Sequence, residues 1–118
     1  MAVAVKRAYA PVQAGDGYRV LVDRLWPRGV ARDQLGIDEW RREAAPSEGL
    51  RRAFHAGAMT WGEFRRAYLA ELKARRDELR RLAARARQGR LTLVFAARDE
   101  RHNNAVVLMQ YLKMLGAE

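Results

Sequence analysis

Apolar and polar positions alternate along the chain in two distinct rhythms. Val3, Val5 and Ala8 form a small, β-branched segment that predicts a strand over 2–8. Pro11 to Gly17 carries turn residues and predicts a loop. Tyr18 to Asp23 contains the bounded apolar run Val20-Leu21-Val22, as expected of a buried strand that ends in charge at Asp23-Arg24. Pro27 and Gly29 make the next stretch a loop. A short helix is expected over 33–40 with Asp33 as its N-cap, and a second opens at Pro46-Ser47-Glu48 and runs to about Phe54. Thr60 and Glu63 have capping-box spacing. Trp61, Phe64, Tyr68 and Leu72 then recur on one helical face, continued by Leu79, Leu82 and Ala86. The stretch 60–88 predicts two helices with a break near Arg75–Asp77, because one helix of that length is long for a small domain, and Gly89 stops the second. Leu91 to Ala97 is the clearest strand and also ends in charge, at Arg98-Asp99. Asn103 or Asn104 can cap a last helix bearing Val106, Val107, Tyr111, Leu112 and Leu115.

The two central strands are apolar on both faces and are joined by helices, which is the connection that parallel strands need. The expected fold class is α/β: a small three-stranded, mainly parallel sheet covered by about five helices. The segments 18–23 and 91–97 should be parallel neighbours. Their carboxyl ends, and the loops that follow, should then share one edge of the sheet, where open α/β sheets bind ligands.

Those two loops hold the candidate chemistry. One supplies Asp23, Arg24, Trp26 and Arg28; the other supplies Arg98, Asp99, His102, Asn103 and Asn104. Arg24, Arg28 and Arg98 offer planar donor forks suited to phosphate or carboxylate. Asn103 and Asn104 stand at a helix N-terminus, which adds backbone donors and partial positive charge. Trp26 can stack on a base or sugar. His102 titrates near neutrality when unperturbed and is the candidate acid–base, with Asp23 or Asp99 orienting it or acting as a base. Each has a structural alternative. Asp23-Arg24 can pin a loop, Trp26-Pro27 can plug a small core, and either Asn can be a plain helix cap. His102 can be a surface residue, as can His55, which lacks a polar constellation. Ser47 reads first as a cap. One His with scattered acids gives no metal site, and no Walker loop, Gly-rich dinucleotide loop, His-Glu-x-x-His or Gly-x-Ser-x-Gly occurs, so no cofactor is expected.

Composition narrows the setting. The 118 residues, 49% hydrophobic, suit a single domain over 1–118. The absence of cysteine excludes a disulfide scaffold and thiolate metal sites. The N-terminus lacks signal-peptide order, and no apolar run approaches the roughly 20 residues that cross a bilayer, so a soluble, cytoplasmic protein without membrane association is expected. The net charge of +9 suggests an anionic partner, nucleic acid being the usual one. Its distribution weakens that reading. Ten basic and four acidic residues lie between Thr60 and Arg90, so most of the excess sits on one helical stretch, where an Arg-rich solvated face explains it.

The run Gly17-Tyr18-Arg19-Val20-Leu21-Val22-Asp23-Arg24-Leu25-Trp26-Pro27-Arg28-Gly29 resembles the signature of the DUF488 family, in its YeaO-like branch. So does Ala96-Ala97-Arg98-Asp99-Glu100-Arg101-His102-Asn103-Asn104-Ala105, and Trp40, Ala45-Pro46-Ser47, Phe54, Trp61, Phe64, Tyr68 and Glu71-Leu72 fit between them. The resemblance covers nearly the whole chain. It implies a compact α/β domain and no assigned activity. Larger relatives carry a Cys-His-Arg cluster near the position of His102, whereas this chain reads Arg101-His102-Asn103. Thiol chemistry therefore does not carry over.

Three functions follow from these residues. The first is a pocket for a small anionic ligand, phosphate or nucleotide-like, possessing the groups an enzyme would need. The second is a nucleic-acid-binding module that uses the Arg-rich helices of 60–90. The third is a structural or partner-binding protein.

Overall fold

A computed structural model describes residues 2–116. Its strands are β1 (Val3–Arg7), β2 (Tyr18–Leu21), β3 (Glu39–Trp40) and β4 (Leu91–Phe95). Its helices are α1 (Arg32–Leu35), α2 (Glu48–His55), α3 (Trp61–Ala74), α4 (Arg76–Ala86) and α5 (Asn104–Met114). The strands form one sheet in the order β1-β4-β2-β3, and every neighbouring pair is parallel. The segments expected to be parallel neighbours are β2 and β4, paired from Tyr18↔Leu91 to Leu21↔Val94.

The sheet has four strands where three were expected. The extra one, β3, occupies the end of the stretch read as a helix over 33–40. That helix lasts only four residues, its N-cap is Ala31 and not Asp33, and Gly36 ends it in the left-handed conformation at φ 58°. Tertiary pairing then decides the rest. Asp38 N–H donates to the Arg19 carbonyl and Arg41 N–H to the Leu21 carbonyl, so a two-residue strand forms on the open edge of β2. No periodic signal marks so short a strand.

The long helices pack on one face. Val20, Val22, Leu91, Leu93 and Phe95 meet Phe64, Tyr68, Leu72, Leu82, Leu108 and Leu112 in the main core. The break between α3 and α4 falls at Arg75. A continuous helix would place Arg75 or Arg76 on the buried stripe between Leu72 and Leu79. The break keeps both outside the core, and both are exposed.

The opposite face is covered by loops and the single turn of α1. Leu21, Leu35, Val94 and Ala8 form a small second core, with Trp26, Val30, Ile37 and Trp40 against it. A buried polar knot holds this side together. Arg19, 2% exposed, donates to Asp16 at 2.7 Å and to the carbonyls of Leu35 (2.7 Å) and Gly36 (3.1 Å). Lys6 reaches the same Asp16 carboxylate at 3.0 Å. Burial pushes the Asp16 carboxyl up, but the Gln13 N–H and the two cations outweigh it and hold it below its ordinary value.

Gly17 joins this knot to β2. Its φ is 66°, and a Cβ there would lie 2.3 Å from the Arg90 carbonyl oxygen, where Tyr18 N–H docks at 2.9 Å. Gly15 has open space around it and no such backbone demand. Gly17→Ala should therefore destabilise the fold by about 1–3 kcal/mol, the typical size of such strain, while Gly15→Ala changes it little. Urea unfolding of both variants checks this; equal effects would contradict the close approach.

Candidate functional site

The carboxyl ends of β2 and β4 face one cleft of about 610 Å³. All nine candidate residues line it: Asp23, Arg24, Trp26 and Arg28 after β2, and Arg98, Asp99, His102, Asn103 and Asn104 after β4. The sharing of one edge follows from the parallel pairing of the two strands.

Asp23 sits at the junction. Its Oδ2 accepts the Ala96 N–H at 2.8 Å and its Oδ1 accepts Asn104 Nδ2 at 3.1 Å. Asn104 Nδ2 also donates to the Val22 carbonyl at 3.0 Å, and Trp40 Nε1 donates to the Asp23 carbonyl at 2.8 Å. Asn104 therefore stitches α5 to the end of β2. Asn103 is the N-cap: buried, it accepts the Val106 N–H at 3.0 Å and donates from its amide to the Asp99 carbonyl at 2.9 Å. Burial pushes the Asp23 carboxyl above its ordinary value of 3.8, against the lowering pull of Ala96 N–H, Asn104 and the nearby His55.

Asp99 folds the β4–α5 loop around its own side chain. Its Oδ1 accepts the N–H groups of Arg101 (2.9 Å) and His102 (3.0 Å), and its Oδ2 meets His102 Nδ1 at 3.0 Å. The Arg101 N–H first, then His102, hold this exposed carboxyl below 3.8. An ionised carboxylate only accepts, so Nδ1 is the donor in this contact and Nε2 takes no part in it. The ring also rests edge-on against Trp61, with centroids 5.0 Å apart.

The cations differ in their engagement. Arg24 donates only to the Pro46 carbonyl, at 3.2 and 3.3 Å. Arg28 and Arg98 are exposed, and no ion pair involves them or Arg24 among the described residues. A fourth, Arg51 on α2, also lines the cleft but pairs with Glu48 at 2.5 Å. Trp26 lines the cleft while its Nε1 donates to the Val30 carbonyl at 2.7 Å and its ring meets Trp40 edge-on at 5.3 Å.

Sequence reasoning missed the wall that α2 contributes. Phe54, His55 and Arg51 all line the cleft, with the buried Phe64 behind them. His55, read as a structural or surface residue, is exposed at this rim. The only sequence signal here was the helix opening at Pro46-Ser47-Glu48, which gives the start of α2 but not its direction over the sheet edge. Ser47 is a cap: its Oγ accepts the Leu50 N–H at 3.3 Å and donates to Glu71 at 2.6 Å. Among the described residues, no group of three or more His, Cys, Asp or Glu side chains is placed to hold a metal ion.

Fold and site thus define a parallel α/β domain with a basic cleft at the strand carboxyl edge. Comparison with known proteins agrees with the signature residues. Residues 2–117 match the family described as "Inactive DUF488-N3 subclade", and the chain belongs to the DUF488 family. It is 45% identical to the uncharacterized protein YeaO of Escherichia coli (strain K12), over 98% of this chain and 100% of that protein. It is 38% identical to the uncharacterized proteins Mb3100c of Mycobacterium bovis and Rv3073c of Mycobacterium tuberculosis, over 93% of this chain and 92% of each. No solved structure matches it significantly. No helix among the described residues is long and apolar enough to cross a membrane.

The two aspartates should titrate on opposite sides of 3.8, Asp23 above and Asp99 below. Between 3.8 and its raised value, Asp23 holds more proton in the folded chain than in the unfolded one. Its contribution therefore makes stability fall as pH rises through that interval. Asp99 contributes the reverse, stability that is lost as pH falls below 3.8 through its lowered value. Carboxyl carbon NMR titration reads both; Asp23 titrating at or below Asp99 would contradict the assigned environments.

Proposed function

We propose that the cleft binds a small phosphorylated ligand, without turning it over. The observation that carries this reading is that Arg24, Arg28 and Arg98 line one cleft and that, among the described residues, no carboxylate pairs with any of them. Unpaired guanidinium forks at the strand carboxyl edge, beside the start of α5, are the donor set that a phosphate group requires. The Asp99–His102 pair adds a titratable donor at the rim, and Asn103 and Asn104 hold the helix start in place. His102, Asp23 and Asp99 are the groups that could move a proton. The description of the matching subclade as inactive favours recognition over catalysis for them.

The other reading places nucleic acid on the Arg-rich helices. Internal contacts of those arginines favour the cleft instead. Arg65 donates to Gln110 at 2.9 and 3.0 Å, Arg75 to the Glu43 carbonyl, and Arg87 to the Gly116 carbonyl at 3.0 Å. Arg85 lies 3.8 Å over the Tyr18 ring, and Arg80 stands 3.8 Å from Asp77.

Calorimetric titration with pyrophosphate tests the proposal. Wild type should bind, and Arg24→Ala and Arg98→Ala should each weaken binding by about 1.5–3 kcal/mol, or roughly 10- to 150-fold, the value of a hydrogen bond to a charged group. Arg81→Ala, on the exposed side of α4, should leave it unchanged. Equal losses at Arg81 and Arg24 would point to diffuse charge attraction and sink the proposal.

A further inference from the structure

The cleft has more than an anion site in it. An apolar wall lines it as well. Phe54, half-buried, stacks on Phe64 with centroids 4.4 Å apart and planes 21° from parallel, and lies 5.9 Å from Trp61. Buried Ala45 and Pro46 extend it. Trp26, the ring that sequence reasoning offered for stacking, already has its N–H on Val30 and its edge on Trp40. Phe54 and the buried Phe64 behind it are cleft rings held by packing alone, and Phe54 is the more exposed of the two.

Asp23 lines the same cleft. Each of its oxygens accepts one hydrogen bond from the protein, Oδ2 from Ala96 and Oδ1 from Asn104. A carboxylate has about four acceptor sites, so acceptor capacity remains on both oxygens. A bare phosphate uses only part of this arrangement. The carboxylate repels it and the apolar wall stays wet. A ligand that suits all three parts has a phosphoryl group, a flat apolar body and N–H or O–H donors. The volume of about 610 Å³ lies within the usual range for small-molecule sites, about 300–1,000 Å³.

We infer that the cleft takes a nucleoside monophosphate, with its phosphoryl group on Arg24, Arg28 and Arg98, its base against Phe54, and its donors on Asp23. This rests on the reading of the cleft as a phosphate site. Donors from the sugar and donors from the base share one chemistry at Asp23: an O–H or N–H to a carboxylate oxygen.

Calorimetry on the full chain distinguishes the parts. The probes are pyrophosphate, ribose 5-phosphate, the four ribonucleoside 5′-monophosphates and their 2′-deoxy forms. Stacking of a base on an aromatic side chain contributes about 1–3 kcal/mol, so at least one ribonucleotide should bind about tenfold or more tighter than ribose 5-phosphate. Phe54→Leu, which keeps the apolar volume, should remove most of that margin. Asp23→Asn should lower the ratio of nucleotide to pyrophosphate affinity. A loss confined to 2′-deoxy ligands assigns the donor to the sugar; a preference for one base assigns it to the base. Ribose 5-phosphate binding as tightly as every nucleotide overturns the inference and leaves the phosphate reading standing. Failure of pyrophosphate and every other phosphorylated probe to bind overturns both. The wild-type comparison decides the matter by itself if either variant fails to fold.

Discussion

One half-buried carboxylate organises the cleft edge of this molecule. Asp23 receives the Ala96 N–H at the end of β4 and the Asn104 side chain at the start of α5, while its own carbonyl receives Trp40 at the end of β3. Three strand ends and a helix start therefore meet at one residue. Both groups that hydrogen-bond to its side chain are neutral, so burial outweighs them and the nearby His55, and the acid is weakened. Such a group is costly to keep in place by fold stability alone, and perturbed acids of this kind concentrate at functional sites. Its position fixes where the two loops can go, and the loops carry the arginines.

The cleft is a consequence of that junction. With β2 and β4 parallel and adjacent, the loops after them must leave on the same side. Asn103 then caps α5 while Asn104 reaches back across the gap, so the helix start is fixed against the sheet from two directions. Asp99 gathers the remaining backbone donors of its loop and sets His102 at the rim. The arginines are left to face the opening. Residues of α2 line the cleft too, and Phe54 among them adds to its apolar character.

Much of this was legible in the sequence. The β2 and β4 segments announce themselves by apolar runs that end in charge, and helix direction between them requires parallel pairing. From that alone the loops had to meet, and all nine residues named on those loops line the cleft. The break at Arg75 was legible too, because one helix over 60–88 is long for a small domain. What escaped notice depends on long-range contacts. β3 is two residues long and exists because β2 offers it an open edge. Arg19 alternates with core residues in a strand, yet lies buried because Asp16 and two carbonyls wait for it on the second face. Phe54 reads only as the end of a helix, and the packing of α2 near the strand ends is what brings it to the cleft. The family signature spans the junction residues, but it describes a fold and no activity.

The central claim is that charge recognition occurs in this cleft and not on the Arg-rich helices. Locating a heavy-atom oxyanion by anomalous scattering tests it most directly. In crystals soaked with tungstate, the account places the strongest tungsten peak between Arg24 and Arg98, within hydrogen-bonding distance of at least one guanidinium. Tungsten found along α3 and α4 with the cleft empty would contradict it.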